Sequence, residues 1–132
     1  MTTIRCNIDV DVPSAKVWDV IRDVGAVHTR LAPHFVVDTR LDTGTRTVTF
    51  ANGAVVRERI ISIDEDLRRL AYSASSERIE YHHASFEVIP LSGTRTRLVW
   101  TADVMPLAAA EHVRAMMEQG SLAIADTLAK LG

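Results

Sequence analysis

Two side chains in this sequence have the types needed for acid–base chemistry and a spacing that puts them on inward faces of strands: Glu58 and His82. Glu58 lies in the run Val56-Arg57-Glu58-Arg59-Ile60, whose alternation sets Val56, Glu58 and Ile60 against the two arginines. The register with the carboxylate inward is the cheaper one, because the opposite register buries two guanidinium groups. A carboxylate in an apolar cavity has its pKa raised and becomes a usable acid or base; the alternative is a structural Glu paired with a neighbour. His82 shares parity with Ala84 and Phe86. Its imidazole is therefore a ligand contact, a proton carrier near neutral pH, or a satisfied core histidine. As a pair, Glu58 and His82 have the means to remove a proton beside a carbonyl and to protonate a departing hydroxyl. That is the chemistry of aldol-type cyclisation or dehydration of a β-keto chain.

Other residues offer surface rather than proton transfer. Tyr72 and Trp100 carry a hydroxyl and an indole N–H on flat apolar rings, suited to a planar ligand and equally common in cores. Met116 and Met117 are adaptable lining or plain core filling. Gly120 costs a helix about 1 kcal/mol, which implies a close approach to its backbone by a side chain or a ligand. His82-His83 is not read as a metal pair, since strand neighbours point to opposite faces. His28, His34 and His112 have no Cys or carboxylate at ligand spacing, so no metal and no cofactor is expected. Cys6 reads as a small core hydrophobe. No G-x-S-x-G, P-loop or GxGxxG pattern occurs, which leaves serine hydrolysis, nucleotide hydrolysis and dinucleotide binding without support.

The elements that must position these groups follow from periodicity. Ile4, Cys6, Ile8, Val10 and Val12 alternate with polar residues and predict a half-buried strand ended by Pro13. Ser14 is the expected N-cap of an amphipathic helix over 14–24, with Val17, Val20, Ile21 and Val24 as its stripe and Trp18 beside it. Gly25 ends that helix, and Pro33 stops a second short one over about 26–31. Strands then succeed one another. The first carries Phe35, Val37, Thr39 and Leu41 on one face, the second spans 46–50, and Asn52-Gly53 predicts a two-residue hairpin turn before Val55–Ile63. Leu70, Tyr72 and Ala74, then His82 to Val88, then Leu98 to Val104 mark the remaining strands. After Pro106, Val113, Met116, Met117, Gly120, Ile124, Thr127, Leu128 and Leu131 predict a C-terminal helix of about 24 residues. The order of strand, two short helices, six strands and a long helix is an α+β arrangement with an antiparallel meander.

Composition narrows the class. With 132 residues, the chain is expected to form one domain over 1–132. Apolar residues at 47% and charged residues at 24% exclude wholesale disorder. A net charge of −2 gives no basic surplus for a nucleic-acid partner. The apolar runs are far too short for a membrane span, the first residues do not look like a signal peptide, and the single cysteine suits a reducing cytoplasm.

In element order the chain resembles the SRPBCC or START-like superfamily, with the helix-grip fold of the birch-pollen allergen, and within it the bacterial polyketide cyclase/dehydrase group. The resemblance rests on Val12-Pro13-Ser14-Ala15-Lys16-Val17-Trp18, on Val56-Arg57-Glu58-Arg59-Ile60 followed by Asp64, on Arg68-Arg69-Leu70-Ala71-Tyr72, and on Gly93-Thr94-Arg95-Thr96-Arg97-Leu98-Val99-Trp100. It implies about seven strands curved around the C-terminal helix, with a cavity for a hydrophobic or aromatic ligand between them. Strand parity then points Phe35, Val37, Val56, Glu58, Ile60, Tyr72, His82, Ala84, Phe86, Leu98 and Trp100 into that cavity, with Val113, Met116, Met117, Gly120 and Ile124 facing them from the helix. Hormone receptors of the superfamily carry a long gating loop where this chain has the short turn Phe50-Ala51-Asn52-Gly53. Fold alone does not choose between functions. The expectation is a binder of a small hydrophobic molecule. The alternatives are a polyketide cyclase or dehydratase using Glu58 and His82, and a non-catalytic interaction module or homodimer using exposed Val36, Val55, Ile61 and Ile63.

Overall fold

A computed structural model describes residues 2–77 and 79–132. Strand β1 (Thr2–Val10) leads to helix α1 (Ser14–Ile21) and a π-helical turn (Val27–Leu31). Six strands follow: β2 (Val36–Asp42), β3 (Thr45–Phe50), β4 (Val55–Asp64), β5 (Arg69–Ser75), β6 (Tyr81–Pro90) and β7 (Thr96–Met105). A single 3₁₀ turn (Leu107–Ala109) then opens α2 (Ala110–Ala129). The strands form one 7-stranded sheet in the order β1-β7-β6-β5-β4-β3-β2, antiparallel throughout. Helix α2 packs along β1 and the π-helical turn, and α1 packs under β6 and β7. Ile4 and Ile8 of β1, Val17 and Ile21 of α1, Leu98 and Val104 of β7, and Ile124 and Leu128 of α2 form the centre of the core. Among the described residues no helix is long and apolar enough to cross a membrane.

The periodic segments fold as expected, and the departures are local. Ser14 does not cap α1: the helix starts at Ser14 itself, Pro13 occupies the cap position, and no side chain caps it. Helix α1 also ends at Ile21, before 24: Arg22 N–H still reaches the Trp18 carbonyl, but Asp23 N–H donates to the Val20 carbonyl and Val24 N–H to the Arg22 carbonyl, and the Val24 carbonyl accepts from Arg46 Nη1 at 3.3 Å. Helix α2 has 20 residues, with the 3₁₀ turn taking up the first part of the predicted stretch.

The largest correction concerns β2. Its pairing with β3 shifts between Val36 and Asp38, a bulge that reverses parity at the start of the strand. Val36, expected outside, is 3% exposed; Val37, expected in the cavity, is 54% exposed and takes no part in it. Phe35 lies before the strand and still turns inward. A second bulge falls between Ile60 and Ser62 of β4, beyond Glu58, so the Glu58 register holds. Val55, Ile61 and Ile63 are exposed.

The β3–β4 connection is one residue longer than a two-residue turn. Phe50 N–H donates to the Ala54 carbonyl at 2.8 Å and Gly53 N–H to the Phe50 carbonyl at 2.9 Å. Residues 51–53 therefore form the loop, and of Asn52 and Gly53 only the glycine takes a positive φ, 91°. Asn52 Oδ1 instead accepts from Ala54 N–H at 3.0 Å.

Trp18 fastens α1 to the β4–β5 turn. Its Nε1–H donates to Glu65 Oε2 at 2.7 Å, and Arg22 Nε reaches Oε1 at 2.9 Å. The Trp18 bond, and after it the Arg22 bond, hold the Glu65 carboxyl below its ordinary value of 4.5. A carboxyl whose pKa is lowered by folding stabilises the fold above that ordinary value and loses the contribution as pH falls through the lowered one. Trp18→Phe is therefore expected to melt below the wild type at pH 7, with the gap narrowing as the pH falls below 4.5. Thermal melts followed by circular dichroism check this; a gap independent of pH would assign the whole cost to ring packing.

Candidate functional site

The concave face of the sheet and the inner face of α2 enclose a cavity of about 950 Å³. One wall is the β3–β4 hairpin with Phe50, Val56 and Glu58; Tyr72 of β5, His82 of β6 and Trp100 of β7 form the sheet side, and Val113, Met116 and Met117 the helix side. Its mouth lies among exposed residues, including Asn52, Val55, Arg57, Ser75, Glu77 and His112. A second chamber of about 50 Å³ lies deeper and is lined by Arg46, Phe86, Gly120 and Ile124. The two spaces share Phe35, Phe50, Glu58, Tyr72 and Trp100 as lining.

The structure thus places Phe35, Val56, Glu58, Tyr72, His82, Trp100, Met116 and Met117 on the main cavity and Phe86, Gly120 and Ile124 on the deep chamber. Of the other predicted lining residues, Val37 is exposed, while Ala84 and Leu98 are buried in the core and Ile60 packs against it, so none of the four lines either space.

Arg46 and Phe50 belong to the site and were not foreseen. Arg46 stands directly across from Glu58 in the β3–β4 register. Its Nε–H donates to Glu58 Oε1 at 2.7 Å, and both side chains are nearly sealed from solvent, 4% and 11% exposed. Glu58 is therefore a paired carboxylate in the floor of the cavity, where an isolated acid was one of the expectations. The guanidinium also lies over the Tyr72 ring, 5.0 Å from its centroid, which adds a cation–π contact in a desolvated place.

Aromatic rings continue this floor. Phe86 and Trp100, cross-strand partners, stack at 4.8 Å, and Tyr72 lies 6.3 Å from Phe86. Trp100 Nε1–H donates to the Tyr72 hydroxyl at 3.1 Å. Among the described residues no acceptor takes the Tyr72 proton, so that O–H is free to donate. Burial, and after it the Glu58 charge, pushes the Tyr72 phenol well above its ordinary value of 10.0, which keeps it protonated.

Phe35 meets Phe50 edge-on at 5.3 Å, and the pair lines both spaces. Gly120 brings α2 onto this layer: a Cβ there would lie 3.0 Å from Trp100 and 3.1 Å from Phe35. The close approach expected from a mid-helix glycine is therefore to two ring edges.

His82 is half-buried on the cavity wall. Burial lowers its pKa below the ordinary 6.5, against a smaller opposing pull from Glu58, so the imidazole is neutral at pH 7. It makes no hydrogen bond or ion pair with Glu58. The register sets Glu58 opposite Ala74, and continuing the β5–β6 pairing one residue past Ser73–His83 sets His82 opposite Ala74 from the other side. The two groups thus flank a small residue with two strand spacings, roughly 10 Å, between their backbones. Among the described residues no group of three or more His, Cys, Asp or Glu side chains is placed to hold a metal ion.

A curved antiparallel sheet gripping a C-terminal helix, with a cavity between them, is the helix-grip fold, shared with a START superfamily structure. The chain belongs to the family described as polyketide cyclase / dehydrase and lipid transport, which it matches over residues 1–131.

Solved structures agree on the fold. A protein from Thermobifida fusca is 27% identical, with a TM-score of 0.79 over 99% of this chain and 95% of that one. The Zhui aromatase/cyclase from Streptomyces sp. R1128 is 19% identical, with a TM-score of 0.76 over 98% and 92%. A START superfamily protein from Mycobacterium smegmatis is 11% identical, with a TM-score of 0.75 over 97% and 94%. No curated protein matches the chain.

Proposed function

We propose that this protein binds a small, apolar, ring-bearing molecule with at least one oxygen acceptor, held between the sheet and α2. The observation that carries this reading is the cavity of about 950 Å³, whose inner walls carry aromatic rings, valines and methionines beside Glu58 and His82, while Asn52, Arg57, Ser75, Glu77 and His112 gather at its mouth. That size and composition suit a ligand of drug-like dimensions. Val56, Met116 and Met117 supply adaptable apolar contact, Trp100 a flat face, and the free Tyr72 O–H a donor for a carbonyl or ether oxygen. The family description, which joins polyketide cyclisation with lipid transport, fits a ligand of this kind.

The test is native mass spectrometry of the freshly purified protein, followed by denaturing extraction. A stoichiometric apolar small molecule is expected, or saturable binding of a naphthalene probe if the protein is isolated empty. An empty protein that gives flat isotherms with such probes would overturn the reading.

A second reading, cyclisation or dehydration of a β-keto chain, is favoured by one observation: His82 is neutral and lines the cavity. In it the imidazole takes the proton beside a carbonyl, Tyr72 donates to that carbonyl oxygen, and the resulting imidazolium returns the proton to the departing hydroxyl. The charge of Glu58 supports the imidazolium across the sheet. This reading expects His82→Gln to abolish turnover of a β-keto thioester while leaving its binding intact. Unchanged turnover would remove His82 from the chemistry.

A further inference from the structure

Resting on the binding reading above, we infer that the Arg46–Glu58 pair is a polar subsite that selects a neutral hydroxyl on the ligand and rejects a carboxylate. The pair uses only part of its hydrogen-bonding capacity. Arg46 spends Nε–H on Glu58 Oε1 and one Nη1–H on the Val24 carbonyl. Among the described residues, Arg46 Nη2 and Glu58 Oε2 have no partner.

Both side chains line the deep chamber of about 50 Å³, and Glu58 lines the main cavity as well. Neither atom is sealed within the protein, so each can take a water or a ligand group from the space its side chain lines. The chamber has room for one small substituent, with the rest of the ligand in the larger space toward the mouth.

Charge decides which substituent fits. Guanidinium and carboxylate together are neutral, and each remaining function has one sense: Nη2 donates and Oε2 accepts. A hydroxyl satisfies both, accepting from Nη2 and donating to Oε2. A carbonyl or ether oxygen satisfies Arg46 and leaves Oε2 unpaired. A carboxylate brings a second negative charge beside Glu58 in a desolvated space, and the one guanidinium is already engaged by Glu58. The preferred ligand class is therefore a phenol, enol or alcohol on an apolar frame.

The experiment compares 2-naphthol, 2-methoxynaphthalene and 2-naphthoate at pH 7 by calorimetric titration, on the wild type and on Glu58→Gln. The wild type is expected to bind the naphthol about tenfold or more tightly than the methoxy compound, and the naphthoate more weakly again. Glu58→Gln removes the negative charge and puts an amide NH2 donor in place of one acceptor oxygen, so the naphthol-to-naphthoate ratio is expected to fall about tenfold or to reverse. Equal affinities for the three probes in the wild type, or an unchanged ratio in a natively folded Gln variant, would overturn the inference while leaving the binding reading intact. If the Gln variant does not fold, the wild-type ranking decides alone. Failure of all three to bind would remove the binding reading and this inference with it.

Discussion

Arg46→Met is expected to destabilise the fold by about 3–5 kcal/mol, because it leaves the Glu58 carboxylate buried without its counter-charge. The argument rests on geometry. The two side chains are 4% and 11% exposed, their bond is 2.7 Å, and they face each other across adjacent strands. Removing one member forfeits the attraction and keeps the desolvation cost of the other. Replacing both together, as Arg46→Met with Glu58→Leu, removes both costs and is expected to return the stability to within about 1–2 kcal/mol of the wild type. Urea denaturation of the two single variants and the double variant checks this. A loss below about 1 kcal/mol in Arg46→Met would mean that water in the deep chamber already solvates Glu58.

Met116→Trp is expected to cut affinity for an apolar ligand at least tenfold with little change in stability. Met116 is half-buried and faces the main cavity, so an indole there has open space to occupy and takes it from the ligand. This differs from substitution at Gly120. Any side chain there meets Trp100 and Phe35 near 3 Å, and a leucine would strain the aromatic layer by about 1–3 kcal/mol rather than only occlude a space. Leu122→Trp is the control, since Leu122 is 72% exposed on the outer side of the same helix. Fluorescence titration with a naphthalene probe, alongside thermal melts, separates the outcomes. Affinity unchanged in Met116→Trp would move the ligand away from this wall.

Much of this arrangement was legible in the residues. Alternation placed β1, the Glu58 face of β4 and the Leu98–Val104 face of β7, and helical spacing found the face of α2 that carries Met116, Met117, Gly120 and Ile124. What escaped depended on single-residue insertions, to which a period of two is blind. At β2 a bulge exchanged the roles of Val36 and Val37. At the β3–β4 hairpin a two-residue turn at Asn52-Gly53 would set Thr47 opposite Glu58. The observed three-residue loop sets Arg46 there instead, and with it the ion pair. An arginine between two threonines gives no hydrophobic signal, so nothing in composition marked it as buried. The contact to Gly120 was inferable from its cost to a helix; the identity of its neighbours, Trp100 and Phe35, required the tertiary structure.

The pairing of β1 with β7 sets the order in which this cavity can come into being. Thr3 and Asp103, bonded side chain to side chain across these strands, are 100 residues apart in the chain. As the chain emerges from the ribosome, Ile4, Ile8 and Val10 must wait for nearly all the rest before they can be covered. The meander from β2 to β6 joins neighbours and can form early, yet it offers an open trough until β7 and α2 arrive. The interval before closure is then the stage at which nascent chains expose most apolar surface, and at which a hydrophobic small molecule has its widest access to the future interior. For such an architecture, capture of a ligand during synthesis and capture through the finished mouth are distinct routes.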